Sequence, residues 1–466
     1  MKEVFNPDIQ YRCTIIRGKA QKELDNLLPA YANIVSEICP CTKDVFDQEF
    51  NDRLSEIIYD DTFDNLGENN QKTIRNHITE IAGKLFGLFY FDNQYFYESP
   101  SNEKLLADND QPAFFKNLCL NFQFPNGTQK IQTIEDKIND GIKFKPFQFV
   151  LALLSIAQKN GVVITKDEIG YYVLNAKQVL QGIISVEDVL STVLKDRANN
   201  SVKKLDSGSF HTQHIREQLN LLTLANLINI EGNNVILNKS ENQIIEVFIN
   251  ELSKPLKFDI FNYNLNKEDE KKQMYYDWSQ YFGKIAVPNP EILSTSIEAL
   301  QREEIEKPKI VKKGVDQTIL GDEGEDYVFN IEKERVNATH PRLVNKVLLL
   351  GKQRGLGYDI SSVEANENRE EPEFARFIEV KSTKRITEPD ITDTTWTDTI
   401  NLTRKEWIAA KQYRSAYNIY RVYFTPNATI VRKINDPFSK NEQGIITVLP
   451  TLYRMDFGSK SIDKQY

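Results

Sequence analysis

Three charged residues in the C-terminal third of the chain have the types and spacing of a hydrolytic metal site. Asp359 lies twenty positions before Glu379, and Lys381 follows two positions after that. Carboxylate oxygens are the ligands that Mg²⁺ prefers, and the main-chain carbonyl of Val380 is a candidate third ligand. An ammonium group beside such a metal can orient or help deprotonate an attacking water, and it offsets negative charge that develops on a phosphate.

Two further acidic residues accompany them. Glu325 falls in a segment with acidic residues in its first turn, which predicts a helix start. From that helix its carboxylate can hold a second metal, a metal-bound water or Lys381. Glu406 opens a later helix, where its charge serves either the helix start or the metal site, and both alternatives stay open. The site is expected to take Mg²⁺, with Mn²⁺ able to substitute for it.

Two neighbouring strands are needed to bring these residues together. Residues 377–383 alternate in the manner of a strand, which places Glu379 and Lys381 on one face. Residues 355–360 predict a turn that enters a short strand, and the charged stretch 364–372 predicts the loop between the two strands. The other predicted elements are a helix at 402–417 and strands at 419–424 and 428–434.

This order of residues resembles the PD-(D/E)xK nuclease superfamily, in which an acidic helix precedes an Asp and then a Glu-x-Lys strand. Tyr358 stands where that pattern has Pro. The wider context, about residues 320–440, resembles one family in particular, the NOV C-terminal-like domain. The matching segments are Gly324-Glu325-x-x-Val328, Gly357-Tyr358-Asp359-Ile360, Ile378-Glu379-Val380-Lys381-Ser382-Thr383, Asn401-Leu402-Thr403-x-x-Glu406-Trp407 and Tyr420-Arg421-Val422.

The resemblance implies an α/β restriction-endonuclease-like domain with a central mixed sheet. It also implies a Mg²⁺-dependent hydrolysis of phosphodiester bonds that leaves a 5′-phosphate. The catalytic residues implied are Asp359, Glu379, Lys381 and Glu325, and the metal ligands implied are Asp359, Glu379 and Val380.

The composition indicates a large folded chain. Its 466 residues, of which 40% are hydrophobic, suffice for two or three domains and exclude global disorder. Lys and Arg total 58 against 67 Asp and Glu. The net charge of -9 argues against a small basic nucleic-acid coat protein, but it leaves room for a local DNA-binding face. The four cysteines are expected to be reduced thiols.

The start of the chain has no signal pattern, and no apolar run approaches the about 18–20 residues of a membrane span. We therefore expect a soluble protein of the bacterial cytoplasm with no membrane partner.

Four regions are predicted along this multi-domain chain, with a mostly α N-terminal part ahead of the α/β domain. Thr165 and Glu168 form a capping-box pattern, and residues 227–237 form a hairpin pattern. Helices followed by a small hairpin predict a winged helix-turn-helix-like module. The predicted regions are 1–140 (mixed α/β, DNA recognition), 141–255 (winged-helix-like, DNA recognition), 256–315 (helical connector and linker) and 316–466 (nuclease domain).

Basic side chains interspersed with Ser and Thr predict a phosphate-contacting surface in the second region. Two more candidates follow the Glu-x-Lys strand, where solvated charge is an equal alternative. The predicted DNA-binding residues are Lys195, Arg197, Lys203, Lys204, His211, His214 and Arg216, with Lys384 and Arg385 in the C-terminal region.

The stretch from residue 122 to 170 resembles the recognition halves of type II restriction endonucleases. In type IIS enzymes a helix-turn-helix recognition part precedes a C-terminal nuclease, which is the order expected here. The implied function is a sequence-specific DNA endonuclease acting on double-stranded DNA. Because one site hydrolyses one strand, cleavage of both strands needs either two protomers, as in a homodimer formed at least during cleavage, or two sequential nicks. The protecting DNA methyltransferase would be encoded separately.

Two alternatives stay open. One is a partner-controlled or modification-dependent DNA nuclease that acts as an effector in defence against phage. The other is a non-catalytic DNA-binding protein with a nuclease-like fold. No segment matches the nucleotide-binding pattern G-x-x-x-x-G-K-[ST], so ATP dependence within this chain is not expected.

Overall fold

A computed structural model describes residues 13, 21–92, 94–205, 209–285, 290–301, 319–351, 356–365, 371–390, 392 and 396–448. The chain divides into two compact units. Unit 1 comprises Met1–Gly314, Ser382–Thr399 and Tyr423–Ile430, and unit 2 comprises Val315–Lys381, Ile400–Val422 and Val431–Tyr466. In the described part of the chain, no helix combines the length and the apolar character that a membrane span requires.

Unit 1 is mostly helical, and its helices begin where local chemistry favours a start. Ser99 and Asp110 each accept a hydrogen bond from a first-turn N–H, with Pro in the first turn. Thr165 and Glu168 form the predicted capping box. The helices are α1 (Gln21–Ile38), α2 (Lys43–Tyr59), α3 (Glu68–Asn76), α4 (Pro100–Asp108), α5 (Gln111–Asn121), α6 (Ile131–Asn139), α7 (Pro146–Lys159), α8 (Lys166–Ile169), α9 (Lys177–Leu180), α10 (Val186–Ala198), α11 (Ser209–Leu224), α12 (Asn242–Leu252), α13 (Glu268–Gly283), α14 (Pro290–Leu293) and α15 (Ile297–Leu300), with π-helical turns at His77–Leu85 and Gly170–Leu174 and 3₁₀ turns at Phe63–Asn65, Lys239–Glu241 and Ile260–Asn262.

Two small antiparallel sheets complete the regular structure of unit 1. The first contains β1 (Cys41–Thr42), β2 (Phe89–Asp92) and β3 (Tyr95–Glu98) in the order β1-β3-β2. The second contains β4 (Ile164–Thr165), β5 (Ile228–Glu231) and β6 (Asn234–Leu237) in the order β4-β6-β5. Strands β5 and β6 form the predicted hairpin. The winged-helix assignment of this region stays a prediction.

A single apolar core runs through unit 1. It joins buried residues of α1, such as Leu24 and Tyr31, with buried residues of α7 and α12, such as Leu151 and Phe248. The core therefore does not separate at residue 140, where composition suggested the end of a domain.

Unit 2 is built on the five-stranded mixed sheet that the sequence predicted. Strand β10 is buried along its whole length, as an interior strand should be. Its strands are β7 (Leu348–Leu349), β8 (Ile360–Val363), β9 (Ala375–Lys384), β10 (Tyr417–Phe424) and β11 (Thr429–Asn435), in the order β11-β10-β9-β8-β7. Its helices are α16 (Ile319–Thr339), α17 (Arg404–Tyr413) and α18 (Pro437–Glu442), with 3₁₀ turns at Pro341–Lys346 and Arg414–Ala416.

A buried carboxylate fixes α16 to this sheet. Glu332 accepts hydrogen bonds from Arg335 at 2.7 Å, from Ser362 of β8 at 2.7 Å and from Tyr420 of β10 at 2.8 Å. The guanidinium of Arg376, on β9, lies 3.7 Å from the same carboxylate. Burial alone would raise the pKa of Glu332, but the hydrogen bonds and positive charges of its partners outweigh burial and lower that pKa.

Replacing this carboxylate should destabilise the fold. We expect Glu332→Gln to lower the free energy of unfolding by about 3–5 kcal/mol, because two cations would lose their buried partner. Since folding lowers the pKa of Glu332, its contribution is complete above the ordinary carboxyl pKa of about 4.3 and is lost as the pH falls through the lowered value. Urea unfolding at several pH values measures this.

The control for this experiment is Glu334→Gln, an exposed position on the same helix. Its effect should stay within about 0.5 kcal/mol. Equal stability of the two variants at neutral pH would contradict the role assigned to Glu332.

Candidate active site

Asp359 is held at the point where three strands of the sheet meet. Its carbonyl accepts a hydrogen bond from the N–H of Leu350, which follows β7, at 2.6 Å. Its own N–H donates to the carbonyl of Ile378, on β9, at 2.9 Å. The N–H of Val380 then donates to Oδ2 of the Asp359 side chain at 2.8 Å. The pairing of β8 with β9 therefore places this carboxylate on the backbone of the Glu-x-Lys segment.

Glu379 and the Val380 carbonyl complete a set of oxygen donors. The side chain of Glu379 is buried, and the nearby charge of Asp359 acts to raise the pKa of its carboxyl. Within an extended strand, the N–H and the C=O of one residue point to the same edge. Because the N–H of Val380 points to Asp359, its carbonyl faces that edge as well.

The ammonium group of Lys381 lies between two carboxylates. Its Nζ is 2.7 Å from Oε1 of Glu379 and 3.0 Å from Oε2 of Glu406. Residues 379 and 381 share a face because side chains alternate along a strand. Glu406 comes from the first turn of α17, where it also forms a capping box with Thr403. Glu406 therefore lies both at the start of α17 and beside Lys381, which are the two positions considered for it.

Two carboxyl groups contact the ammonium of Lys381 and that of Asp359 lies nearby, so acidic groups outnumber basic groups at this site. Burial raises the pKa of Asp359, although the Val380 N–H and Lys381 oppose that shift. Burial also raises the pKa of Glu379 to about 8; Lys381 opposes this shift, and the charges of Asp359 and Glu406 add to it. Burial alone would lower the pKa of Lys381, but the charges of Glu379 and Glu406 raise it overall.

These residues fit a hard divalent cation. Two carboxylates and a main-chain carbonyl are the oxygen donors that Mg²⁺ prefers, and its charge would offset the excess negative charge of the site. Over the ranges that the structure describes, no group of three or more His, Cys, Asp and Glu side chains is arranged to hold a metal ion. The candidate ligands are thus the side chains of Asp359 and Glu379 and the main-chain carbonyl of Val380.

Glu325 approaches the site from α16. A Cβ on Gly351 would lie 2.1 Å from Oε2 of Glu325, so the carboxylate packs against a glycine that follows β7. Gly351 adjoins Leu350, whose N–H bonds to Asp359. The structure therefore places Glu325 beside the strand end that pairs with Asp359. Whether it holds a second metal stays a prediction.

Aromatic rings pack around Tyr358, the residue that occupies the position of Pro in the superfamily pattern. The ring of Tyr358 packs against Phe377 with 4.7 Å between the ring centroids, and Phe377 packs against Tyr413 of α17 at 4.2 Å. The hydroxyl of Tyr417 donates to the carbonyl of Gly357 at 2.9 Å. These contacts fix the turn that enters the site, and no local pattern in the sequence pointed to Tyr413 or Tyr417.

Four of the predicted DNA-binding residues have exposed side chains in unit 1. Whether they contact DNA stays a prediction. The side chain of His211, in α11, lies outside what the structure describes. The exposed residues are Lys195 on α10, Lys203 and Lys204 after it, and Arg216 on α11.

Of two other residues of that set, Arg197 is hydrogen-bonded within the fold and His214 is buried, which corrects their predicted role. The guanidinium of Arg197 donates to both carboxylate oxygens of Glu168 at 2.7 Å and to the carbonyl of Val163 at 2.7 Å. The side chain of His214 is buried, with 2% of its surface exposed. Neither group is positioned to neutralise a phosphate, because one is used by a buried carboxylate and the other lies in the core.

The two candidates after the Glu-x-Lys strand are corrected for the same reason. Lys384 is buried and donates to the carbonyl of Thr295 at 2.5 Å. Arg385 is buried and donates to the carbonyl of Thr387 at 2.6 Å and to the side chain of Asn26 at 2.8 Å. Both side chains are therefore buried and hydrogen-bonded within unit 1, and neither is a surface cation.

Comparisons with known proteins match both ends of the chain. Residues 5–279 match the family described as "Restriction endonuclease BpuJI - N terminal", and residues 324–434 match "Protein NO VEIN, C-terminal". The predicted resemblances to a restriction endonuclease and to the NOV C-terminal domain are thereby confirmed. No curated protein matches the chain.

A solved structure resembles the N-terminal part. It is described as "Crystal structure of pyrene- and phenanthrene-modified DNA in complex with the BpuJ1 endonuclease binding domain". It is 46% identical, with a TM-score of 0.56, and the match covers 60% of this chain and 100% of that chain.

The turn before Asp359 should have no room for a side chain at position 357. Gly357 has φ +77°, and a Cβ there would lie 2.7 Å from the carbonyl oxygen of Lys405. Gly444 has φ +72°, but nothing lies within 4 Å of its Cβ position. We expect Gly444→Ala to lower the free energy of unfolding by about 1 kcal/mol for the left-handed backbone alone. Gly357→Ala should cost about 1–3 kcal/mol more, because overpacking adds to that term.

Chemical denaturation of both variants, followed by circular dichroism, measures the difference. Equal losses of stability would contradict the close approach of α17 to this turn.

Proposed function

The chain belongs to the restriction endonuclease family described by the N-terminal part of BpuJI, and from this premise we propose that it is a Mg²⁺-dependent, sequence-specific DNA endonuclease. Unit 1 would recognise a short duplex sequence, and the site at Asp359, Glu379 and Lys381 would cut the DNA. The observation that carries the proposal is that these three residues, which span twenty-two positions of the sequence, come together where β8 begins beside β9.

Each residue has a role that follows from its contacts. Asp359, Glu379 and the Val380 carbonyl would hold the cation, which supplies Lewis-acid stabilisation of charge on the phosphate when bound. The ammonium of Lys381 would lie beside the scissile phosphate, orient the attacking water and offset developing negative charge. The water oxygen bonds to phosphorus as the bond to the 3′-oxygen breaks. The products are a 5′-phosphate and a 3′-hydroxyl.

The N-terminal match supports DNA recognition. The related solved domain is described as a complex with DNA. We propose that residues 141–255 form a winged-helix-like module, in which the three-stranded sheet β4-β6-β5 follows the helices. The arrangement of recognition before cleavage is that of a type IIS enzyme. Since one such site hydrolyses one strand, two protomers would act together on a duplex, and a separate methyltransferase would protect the host.

Cleavage should depend on Asp359. We expect the full chain to convert unmethylated phage DNA into discrete fragments with 5′-phosphate ends when Mg²⁺ or Mn²⁺ is present. Asp359→Ala should lower the cleavage rate by at least about 100-fold, because it removes a metal ligand, and should leave DNA binding unchanged. End-labelling of fragments and a gel-shift assay provide the two measurements.

The control variant is Glu371→Ala, which removes an exposed carboxylate of the same unit and should keep both activities. Cutting by Asp359→Ala would refute the site assignment. Intact DNA with the unaltered chain would refute a free-standing nuclease, and degradation without discrete fragments would refute sequence specificity.

DNA affinity should depend on the exposed cations of unit 1. We expect replacement of Lys195, Lys203, Lys204 or Arg216 by Gln to weaken binding. It should also reduce the slope of log K against log salt by about 0.9 for each phosphate that the variant no longer neutralises. Fluorescence anisotropy over a salt series measures this. Lys72→Gln, at an exposed position of α3, serves as the control. Unchanged slopes in all four variants would remove this surface from the interface.

A further inference from the structure

Glu406 makes two kinds of contact with one carboxylate oxygen. Its Oε2 accepts a hydrogen bond from the N–H of Thr403 at 2.9 Å, which completes the capping box at the start of α17. The same Oε2 lies 3.0 Å from Nζ of Lys381. The backbone N–H of Glu406 donates in return to Oγ1 of Thr403 at 3.3 Å. The backbone N–H of Thr403 therefore holds the carboxylate in place, and the fixed carboxylate contacts Lys381.

The two anions that contact Lys381 differ in what else they can bind. Glu379 is a proposed ligand of the divalent cation, and a cation on its carboxylate repels the nearby ammonium. Glu406 faces Lys381 from another element and is anchored by its own helix. A lysine has a flexible four-carbon chain, so its ammonium leaves the site unless an anion keeps it there.

We propose that Glu406 is a positioning residue, which keeps the Lys381 ammonium at the cleavage site when the carboxylate of Glu379 is engaged by the cation. This role rests on the proposed function, because it concerns the same site. It assigns Glu406 no contact with DNA or with the reacting atoms. Without Glu406, Lys381 would pair with Glu379 alone and compete with the cation for that carboxylate.

A helix cap alone would have different consequences, and the chain offers variants that separate the two roles. Glu406→Gln keeps an oxygen that can accept the Thr403 N–H, since Gln also serves in capping boxes, but it removes the negative charge. Thr403→Ala removes the hydroxyl half of the cap and leaves the charge of Glu406. Glu406→Asp keeps both functions on a shorter side chain, as Asp188 does in the capping box of α10.

Cleavage kinetics of the full chain at saturating Mg²⁺ provide the first readout. We expect Glu406→Gln to lower kcat by about 10- to 100-fold with little change in KM, because outer-shell partners of a metal site contribute this much. Glu406→Asp should recover part of the loss. Thr403→Ala should lower the melting temperature more than Glu406→Gln does and keep kcat within about twofold of the unaltered chain. A normal kcat for Glu406→Gln, or a parallel loss in both variants, would overturn the positioning role.

Binding of Mn²⁺ without DNA, measured by calorimetry, provides a second readout that needs no cleavage. In a chain that is otherwise unaltered, Glu406→Gln should weaken Mn²⁺ binding by about tenfold. It should have a much smaller effect when Lys381 is already replaced by Met, because Glu406 then has no lysine to hold. Equal losses in both backgrounds would overturn the proposal, since Glu406 would then act on the cation directly.

The two readouts also separate this role from the proposed function. A chain that cuts no DNA refutes the proposed function, and the Mn²⁺ cycle still decides the role of Glu406. A chain that cuts normally with Glu406→Gln refutes the positioning role and leaves the proposed function intact.

Discussion

The hydrogen bond from the Val380 N–H to the Asp359 carboxylate, at 2.8 Å, depends on the pairing of two strands, and the site depends on that bond. Antiparallel pairing brings residues twenty positions apart to adjacent places on the sheet. The alternation of side chains along β9 then sets Glu379 and Lys381 on one face, and the cap of α17 adds Glu406. A one-residue slip of β8 against β9 would move the Asp359 side chain away from the Val380 N–H, so the geometry of the candidate site depends on the strand register.

The cost of burying charge explains where the other ionic side chains lie. Each buried cation in the described structure that was predicted to contact DNA has an acceptor inside the fold: the Thr295 carbonyl for Lys384 and the Asn26 amide for Arg385. Arg197 is used by the carboxylate of Glu168. The candidate active site differs from these places, because its carboxyl groups outnumber its ammonium groups. An excess of buried negative charge is what a divalent cation can compensate.

The parts of the structure that could be predicted from the sequence are those set by neighbours along the chain. The capping box at Thr165, the hairpin after residue 227 and the alternation around Glu379 each need only a few adjacent residues. The parts that could not be predicted depend on distant residues. Lys384 ends the strand β9, and it looks like a surface cation until its partner from a distant part of the chain, Thr295, is known. Likewise, only Arg335, three residues further along α16, is near Glu332 in sequence. Ser362, Arg376 and Tyr420 come from three different strands.

The stretches of sequence that form unit 1 determine how this chain can be divided into fragments. Unit 1 draws on three separate stretches of sequence, and the last two, Ser382–Thr399 and Tyr423–Ile430, come after the start of unit 2. A fragment beginning at residue 315 would keep Lys384 and Arg385 but would lack Thr295 and Asn26, which accept their hydrogen bonds. Each of these buried cations, which lie at the end of β9 and directly after it, would then lose an acceptor, while Arg385 would keep the Thr387 carbonyl. A fragment cut at the composition boundary would therefore carry two stretches of unit 1 without the rest of that unit.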